Sequence, residues 1–188
     1  MKTKVLDIFC LLIIIGFSAC NHKSGKLPPD RIVKNYDRYL VKTDKGWFYK
    51  NRLFSGYMVQ VETDGRIVYK LPVIDGKENG IATGSYNTGE KLLERSFVNG
   101  EKEGVFIQWW PNGNLRYLFR YHHNQYNGKQ IVYFHFGKIQ EEKNYTNGIE
   151  EGSQKIWDST GRLVSNYLVK NNKMYGSLSS EECMPVVH

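Results

Sequence analysis

A fixed 24-residue step in glycine constrains this chain more than any other feature. Gly56, Gly80, Gly104, Gly128, Gly152 and Gly176 are each 24 residues apart, and Gly65, Gly89, Gly113, Gly137 and Gly161 keep the same step nine residues later. A third series runs Gly76, Gly100, Asn124, Gly148, Asn172. Self-similarity at a fixed period marks a repeat architecture, in which one unit cannot bury its apolar side alone and neighbours must stack in order. Where the third series lacks Gly, the replacement is Asn both times. Those residues best tolerate positive φ, so Gly76, Gly100, Asn124, Gly148 and Asn172 read as structural turns with a backbone requirement.

Gly104 to Asn127 serves as one unit. Val105-Phe106-Ile107-Gln108-Trp109-Trp110 is β-branched and aromatic and suits a strand. Pro111-Asn112-Gly113 is a turn signal, residues 114–121 form the returning strand, and His123-Asn124 opens a second turn. Each unit is then a β-hairpin. The expected fold is all-β, an elongated antiparallel hairpin ribbon of five 24-residue repeats over residues 56–175. Residues 31–55 supply an N-terminal cap and lead-in strands, and residues 176–188 a C-terminal cap and tail. Within the first cap, Ile32, Val33, Tyr36, Tyr39 and Leu40 lie close to helical spacing behind Asp30, which predicts a short helix; the same residues also suit an edge strand.

Successive residues of a strand point to opposite sides, so alternation predicts which side packs. One register collects Val59, Ile107, Ile131, Trp109, Tyr133 and Trp157 with Val73, Phe97, Tyr121, Tyr145 and Val169, and reads as the packed face. The other holds Gln60, Gln108, Gln130, Gln154, Glu94, Arg116, Arg120 and Glu142, and reads as the polar face.

The start of the chain is a processing segment. Lys2 and Lys4 precede the apolar run Leu11–Ile15, and Gly16-Phe17-Ser18-Ala19 leads to Cys20. Such a run is too short to span a bilayer and typical of a secretory signal. Residues 1–19 resemble a bacterial lipoprotein signal peptide, which implies cleavage before Cys20, lipidation of that cysteine and anchoring in the cell envelope on the outer-membrane or periplasmic side. Residues 20–30 read as the lipidated cysteine and a tether. Cys10 leaves with the signal, so Cys183 is the other cysteine of the mature chain and no internal disulfide is expected.

Units of the form Gly-Val-Phe-Ile-Gln-Trp-Trp-Pro-Asn-Gly-Asn-Leu, followed by Asn-Gly-x-x-x-Gly, resemble the variant MORN repeat. Several such units behind a lipobox, with the lead-in Trp47-Phe48-Tyr49 and Phe54-Ser55-Gly56, are similar to the YwqK-type antitoxin family of bacterial proteins. The resemblance spans roughly residues 46–178. It implies a toxin-neutralising role, while MORN repeats in general imply membrane association and scaffolding.

Catalytic chemistry is not expected. Glu141-Glu142, Glu150-Glu151 and Glu181-Glu182 are neighbours on the chain, and neighbours on a strand point to opposite faces, which makes poor acid–base pairs. His122, His123 and His135 lack zinc-ligand spacing, and phosphate-cradling glycine loops are missing, so no metal and no cofactor is expected. The full chain carries a net charge of +7, and loss of Lys2, Lys4 and Asp7 with the signal leaves +6. With the basic residues read as spread along the chain behind an export signal, nucleic acid is not an expected partner; an anionic envelope component or acidic protein is.

One constellation points to binding. On the side read as polar, Tyr86, Trp110 and Phe134 recur at the same position of three consecutive units, with Phe106 and Leu118 in register and Arg116 and Arg120 alongside. An aromatic strip with a polar border is what an interface hot spot requires. The functional expectation is a non-catalytic, envelope-anchored repeat lipoprotein presenting a binding surface to a protein or envelope component. The alternatives are an antitoxin or immunity protein and a glycan-binding or glycan-processing protein.

Overall fold

The computed structural model describes residues 28–177. The signal segment, Cys20, most of the tether, Cys183 and nearly all of the C-terminal tail lie outside the described residues. Among the described residues there is no helix. One long sheet runs antiparallel in chain order through Gly56–Val61, Ile67–Ile74, Gly80–Ser85, Lys91–Val98, Glu101–Trp109, Leu115–His122, Gly128–Tyr133, Ile139–Thr146, Gly152–Trp157, Leu163–Lys170 and Lys173–Ser177. A second sheet of three short strands, Leu40–Thr43, Gly46–Tyr49 and Arg52–Leu53, forms the cap.

The helix expected from residue 31 to 40 is absent. Ile32–Lys34 is instead a strand, parallel to Gly56–Val61 with Val33 opposite Met58. The edge of the long sheet decides the matter: Tyr57 donates its amide to Arg31 O at 2.7 Å, and Asn35 donates to Val59 O at 2.8 Å. Pairing to an open edge, with two β-branched residues in the segment, overrides a helical spacing carried by only five positions.

Two kinds of bend alternate along the sheet. At Asp75-Gly76, Asn99-Gly100, His123-Asn124, Asn147-Gly148 and Asn171-Asn172 both central residues have positive φ, from 47° to 88°, the signature of a type I′ hairpin turn. The second residue also ties its turn to the preceding hairpin. The amides of Gly76, Gly100, Asn124 and Gly148 donate to the carbonyls of Phe54, Glu78, Lys102 and Tyr126, at 2.7, 2.8, 3.1 and 2.8 Å. At the other bends, Gly65, Gly89, Gly113, Gly137 and Gly161 donate to the carbonyl three residues earlier, and the strand pairing shifts register there.

That shift corrects the expected faces. Cross-strand partners are thirteen residues apart: Met58 with Leu71, Ala82 with Arg95, Phe106 with Phe119, Gln130 with Lys143, Gln154 with Tyr167. An odd separation puts even-numbered residues of the outgoing strand on the same side as odd-numbered residues of the return. Val73, Phe97, Tyr121, Tyr145 and Val169 therefore share their face with Met58, Ala82, Phe106, Gln130 and Gln154, and Val59, Ile107 and Ile131 point the other way. Phe106, Gln130 and Gln154, expected on the polar side, are buried.

The two glutamines fill a gap in the ladder. Strand pairing skips past Gly128 and Gly152, where the glycines take positive φ; the Arg120 and Asn144 carbonyls still accept from Asn127 N and Glu151 N, both at 3.0 Å, but their amides would lose their partners. The Gln154 carboxamide accepts from Asn144 N at 3.0 Å and donates to Asn144 O at 2.9 Å; Gln130 does the same for Arg120 at 2.8 and 3.0 Å. A side-chain amide thus replaces the missing peptide partner, as buried polar groups require.

The core is concentrated at the N-terminal end. Val33, Phe54, Met58, Leu71, Val73 and Ala82 are buried together, and Leu40, Trp47, Tyr49, Tyr69 and Phe97 pack against them. The cap is fastened by backbone bonds from Trp47 N to Gly76 O and from Phe54 N to Trp47 O. Glu78 takes the Trp47 indole at 2.9 Å and the Lys42 ammonium at 3.0 Å.

Candidate binding surface

The expected strip is placed at the bends that end the outgoing strands. Tyr86, Trp110 and Phe134 are each half-buried. Tyr86 Oη donates to Trp109 O at 2.7 Å, and Trp110 Nε1 donates to Tyr133 O at 3.2 Å, so each reaches the backbone of the next hairpin. Phe134 has no donor and stacks on Phe136 at 5.1 Å with 6° between the rings. The Arg116 guanidinium lies 4.3 Å from the Trp110 ring centroid, and its Nε is buried without a hydrogen-bond partner among the described residues. Leu118 is half-buried between Ile107 and Ile131 of the flanking strands. Arg120 is exposed and donates through Nη1 to Lys129 O at 3.1 Å. Phe106 does not belong with them: the thirteen-residue pairing turns it to the opposite face, where it is 8% exposed.

That opposite face carries a larger aromatic assembly. Phe97 and Phe106 lie 5.5 Å apart between ring centroids, Phe106 and Tyr121 4.5 Å, Tyr121 and Tyr126 4.8 Å, and Tyr126 and Tyr145 5.3 Å. Phe119 joins at Tyr126, 5.5 Å away, and stacks on Tyr117 at 5.1 Å. These rings come from successive strands, so the row crosses the strands along the length of the sheet. Near residue 54 the same face is closed by the cap; from Phe106 onward no second layer of the described residues covers it.

Two shallow clefts open along the row. The first is lined by Phe106, Tyr117, Phe119 and Tyr121 with Arg95 and Lys102. Lys102 Nζ lies 5.1 Å from the Tyr121 ring centroid, and the Arg95 guanidinium carbon 5.7 Å from that of Phe106. The second is lined by Phe119, Tyr126, Val132 and Tyr145 with Glu141 and Lys143. Beside it, Glu150 accepts from Tyr145 Oη and Tyr167 Oη, both at 3.2 Å, and pairs with Lys143 at 3.6 Å. Burial, with the Tyr126 hydroxyl beside it, holds the Tyr121 phenol far above its ordinary value; burial and then the Glu150 charge push Tyr145 up to about 12. Both phenols stay neutral at ordinary pH. The row therefore offers ring surface, neutral hydroxyls, cations at one end and two carboxylates with Lys143 at the other, the chemistry of recognition. Among the described residues no three His, Cys, Asp or Glu side chains gather as metal ligands would.

The surface was legible only in part. Tyr117, Tyr121, Tyr126 and Tyr145 are plain in the sequence, but their joining to Phe106 and Phe119 depends on the hairpin register, which is set by the bulge at each glycine bend. No family model matches the chain, and comparison with curated proteins finds no match.

Proposed function

We propose that this chain is a non-catalytic binding module of the bacterial envelope, anchored through a lipidated Cys20 and built from five MORN-like hairpin units. The observation that carries the reading is the uncovered aromatic row from Phe106 through Tyr121 and Tyr126 to Tyr145. A row that crosses successive strands fits an elongated protein or envelope partner laid along the sheet. Aromatic residues in partly desolvated clefts with a charged border are the usual anchors of such contacts. The antitoxin role implied by the family resemblance differs only in the partner, a cognate toxin seated on the same row. The test is retention of a partner from envelope extract by the immobilised mature chain. Tyr126→Ala should abolish retention while Trp110→Ala preserves it in whatever fraction remains folded. Retention indifferent to Tyr126 sinks the reading.

A further inference from the structure

The cap sheet has a side that neither the core nor the aromatic row uses. Leu40, Trp47 and Tyr49 turn inward to the core. Across the strands, Val41 pairs with Phe48 and Phe48 with Leu53, which places these three together on the outward side. Val41 is 51% exposed and Leu53 49%, with Phe48 half-buried between them. A shallow hollow there is lined by Val41, Phe48, Thr43, Asn51, Lys45 and one carboxylate, Asp44.

The charge is not spread evenly, as the chain read alone suggested. Residues 28–53 hold seven Lys and Arg against three Asp, a net +4 over 26 residues. Residues 54–177, nearly five times as many, carry only +2. Of the cap cations, Lys42 is held by Glu78, while Lys45, Lys50 and Arg52 have no carboxylate within ion-pair distance among the described residues. Lys45, at the bend before the central strand of the cap, lines the hollow; Lys50 Nζ lies over the Tyr39 and Tyr49 rings, 5.4 and 5.6 Å from their centroids, and Arg52 pairs opposite Tyr49, so those two cations belong to the inner side of this thin sheet. Cys20 lies eight residues before Pro28, a reach of at most ~28 Å.

We propose that the outer side of the cap sheet docks on an anionic bilayer. Val41, Phe48 and Leu53 enter the boundary between headgroups and acyl chains, Lys45 pairs with a headgroup phosphate, and the other cap cations add longer-range attraction to the anionic surface. An apolar face on an element of net positive charge is the pattern by which soluble elements lie on an anionic membrane. The proposal rests on the envelope-anchored reading only for the reach of the tether, because the patch and its charge exist without the lipid.

The experiment removes that lipid. The mature chain carrying Cys20→Ser is sedimented with vesicles of phosphatidylcholine alone and of phosphatidylcholine mixed with phosphatidylglycerol. Binding is expected on the anionic vesicles and not on the neutral ones. It should weaken about tenfold or more in Val41→Ser/Leu53→Ser and in Lys45→Glu, with thermal melts unchanged because all three positions are exposed. Tyr126→Ala should leave it untouched, which separates this outcome from the fate of the aromatic row. The proposal is overturned by absence of binding, by equal binding to neutral vesicles, or by binding that survives loss of Val41 and Leu53. It is also overturned if the unanchored chain self-associates through this patch, since the patch then belongs to a second copy.

Discussion

Asn124 and Lys102 are bonded twice, once in each direction. The Asn124 amide donates to Lys102 O at 3.1 Å, and the Lys102 amide donates to Asn124 Oδ1 at 2.8 Å. The first bond is shared with the glycines that occupy the equivalent turns, and the second is available only to a side chain. Asparagine here therefore does two things: it accepts φ of 66°, and it stitches one hairpin to the one before it. Asn124→Gly keeps the turn and loses the second bond, a cost of about 0.5–1.5 kcal/mol. Asn124→Val loses the bond and must also strain, which costs about 2–4 kcal/mol. Thermal melts of both variants check the order; equal stability of the two would show that φ is not what the position selects.

Gln154 makes a second, stronger case for side chains completing the backbone ladder. It is fully buried, and its carboxamide satisfies both backbone groups of Asn144. Gln154→Leu preserves volume and apolar contact but leaves the Asn144 N–H unpaired, its C=O keeping the bond from Glu151 N at 3.0 Å, with an expected loss of about 1–3 kcal/mol. In native-state hydrogen exchange the Asn144 amide should lose protection while distant strands keep theirs. Unchanged protection at Asn144 would mean the gap closes some other way.

The attachment of the cap should be sensitive to acid. Burial works to raise the Glu78 pKa, but bonds from the Trp47 indole and the Lys42 ammonium outweigh it and leave the carboxyl below its ordinary value near 4.5. A carboxylate whose pKa is depressed by folding contributes stability above the unfolded value and loses it as pH falls through the folded one. Cap docking is therefore expected to be fully present above pH 4.5 and to weaken progressively below it. Glu78→Gln should flatten that dependence. The change can be followed through Trp47, whose indole is part-buried against Glu78; an acid profile that Glu78→Gln leaves unaltered would locate the sensitivity elsewhere.

The all-β hairpin character was legible because two glycine series and one Gly/Asn series keep step, and only backbone demands do that. What alternation alone could not supply was the phase between the two strands of a hairpin. The bulge at each glycine bend makes the cross-strand separation odd, so Phe106 joins Tyr121 and not Trp110. Gln130 and Gln154 were misplaced for the same reason, compounded by polarity: nothing in a lone glutamine signals that a skipped backbone pair will receive it. The segment from residue 31 to 40 failed differently, since a sheet edge elsewhere in the chain decided its form. Tyr86, Trp110 and Phe134 recur at equivalent places of three hairpins, but the polar ends of Tyr86 and Trp110 turn inward to neighbouring backbone.

Those inward bonds make the adjacent tryptophans the sharpest test of what the strip does. Trp109 and Trp110 are both half-buried, and both are bound to a neighbouring hairpin: Trp109 O accepts from Tyr86, and Trp110 Nε1 donates to Tyr133 O. If Trp110 served mainly as an exposed anchor, Trp110→Ala would spare the fold. The geometry predicts the reverse. Removing the indole takes away the bond to Tyr133, the ring beneath Arg116 and half-buried apolar area together, so the expected loss is about 2–3 kcal/mol, comparable with Trp109→Ala. Trp110→Phe keeps the ring and drops only the bond, and should cost about 1 kcal/mol. A further effect falls on Arg116, whose Nε is already buried without a partner among the described residues: in Trp110→Ala that guanidinium loses its aromatic face, so Arg116→Met in the same background should restore part of the loss. Melting curves of the four variants decide it. A Trp110→Ala protein as stable as the parent would return the strip to the surface and make it, not the row through Tyr126, the first place to look for a partner.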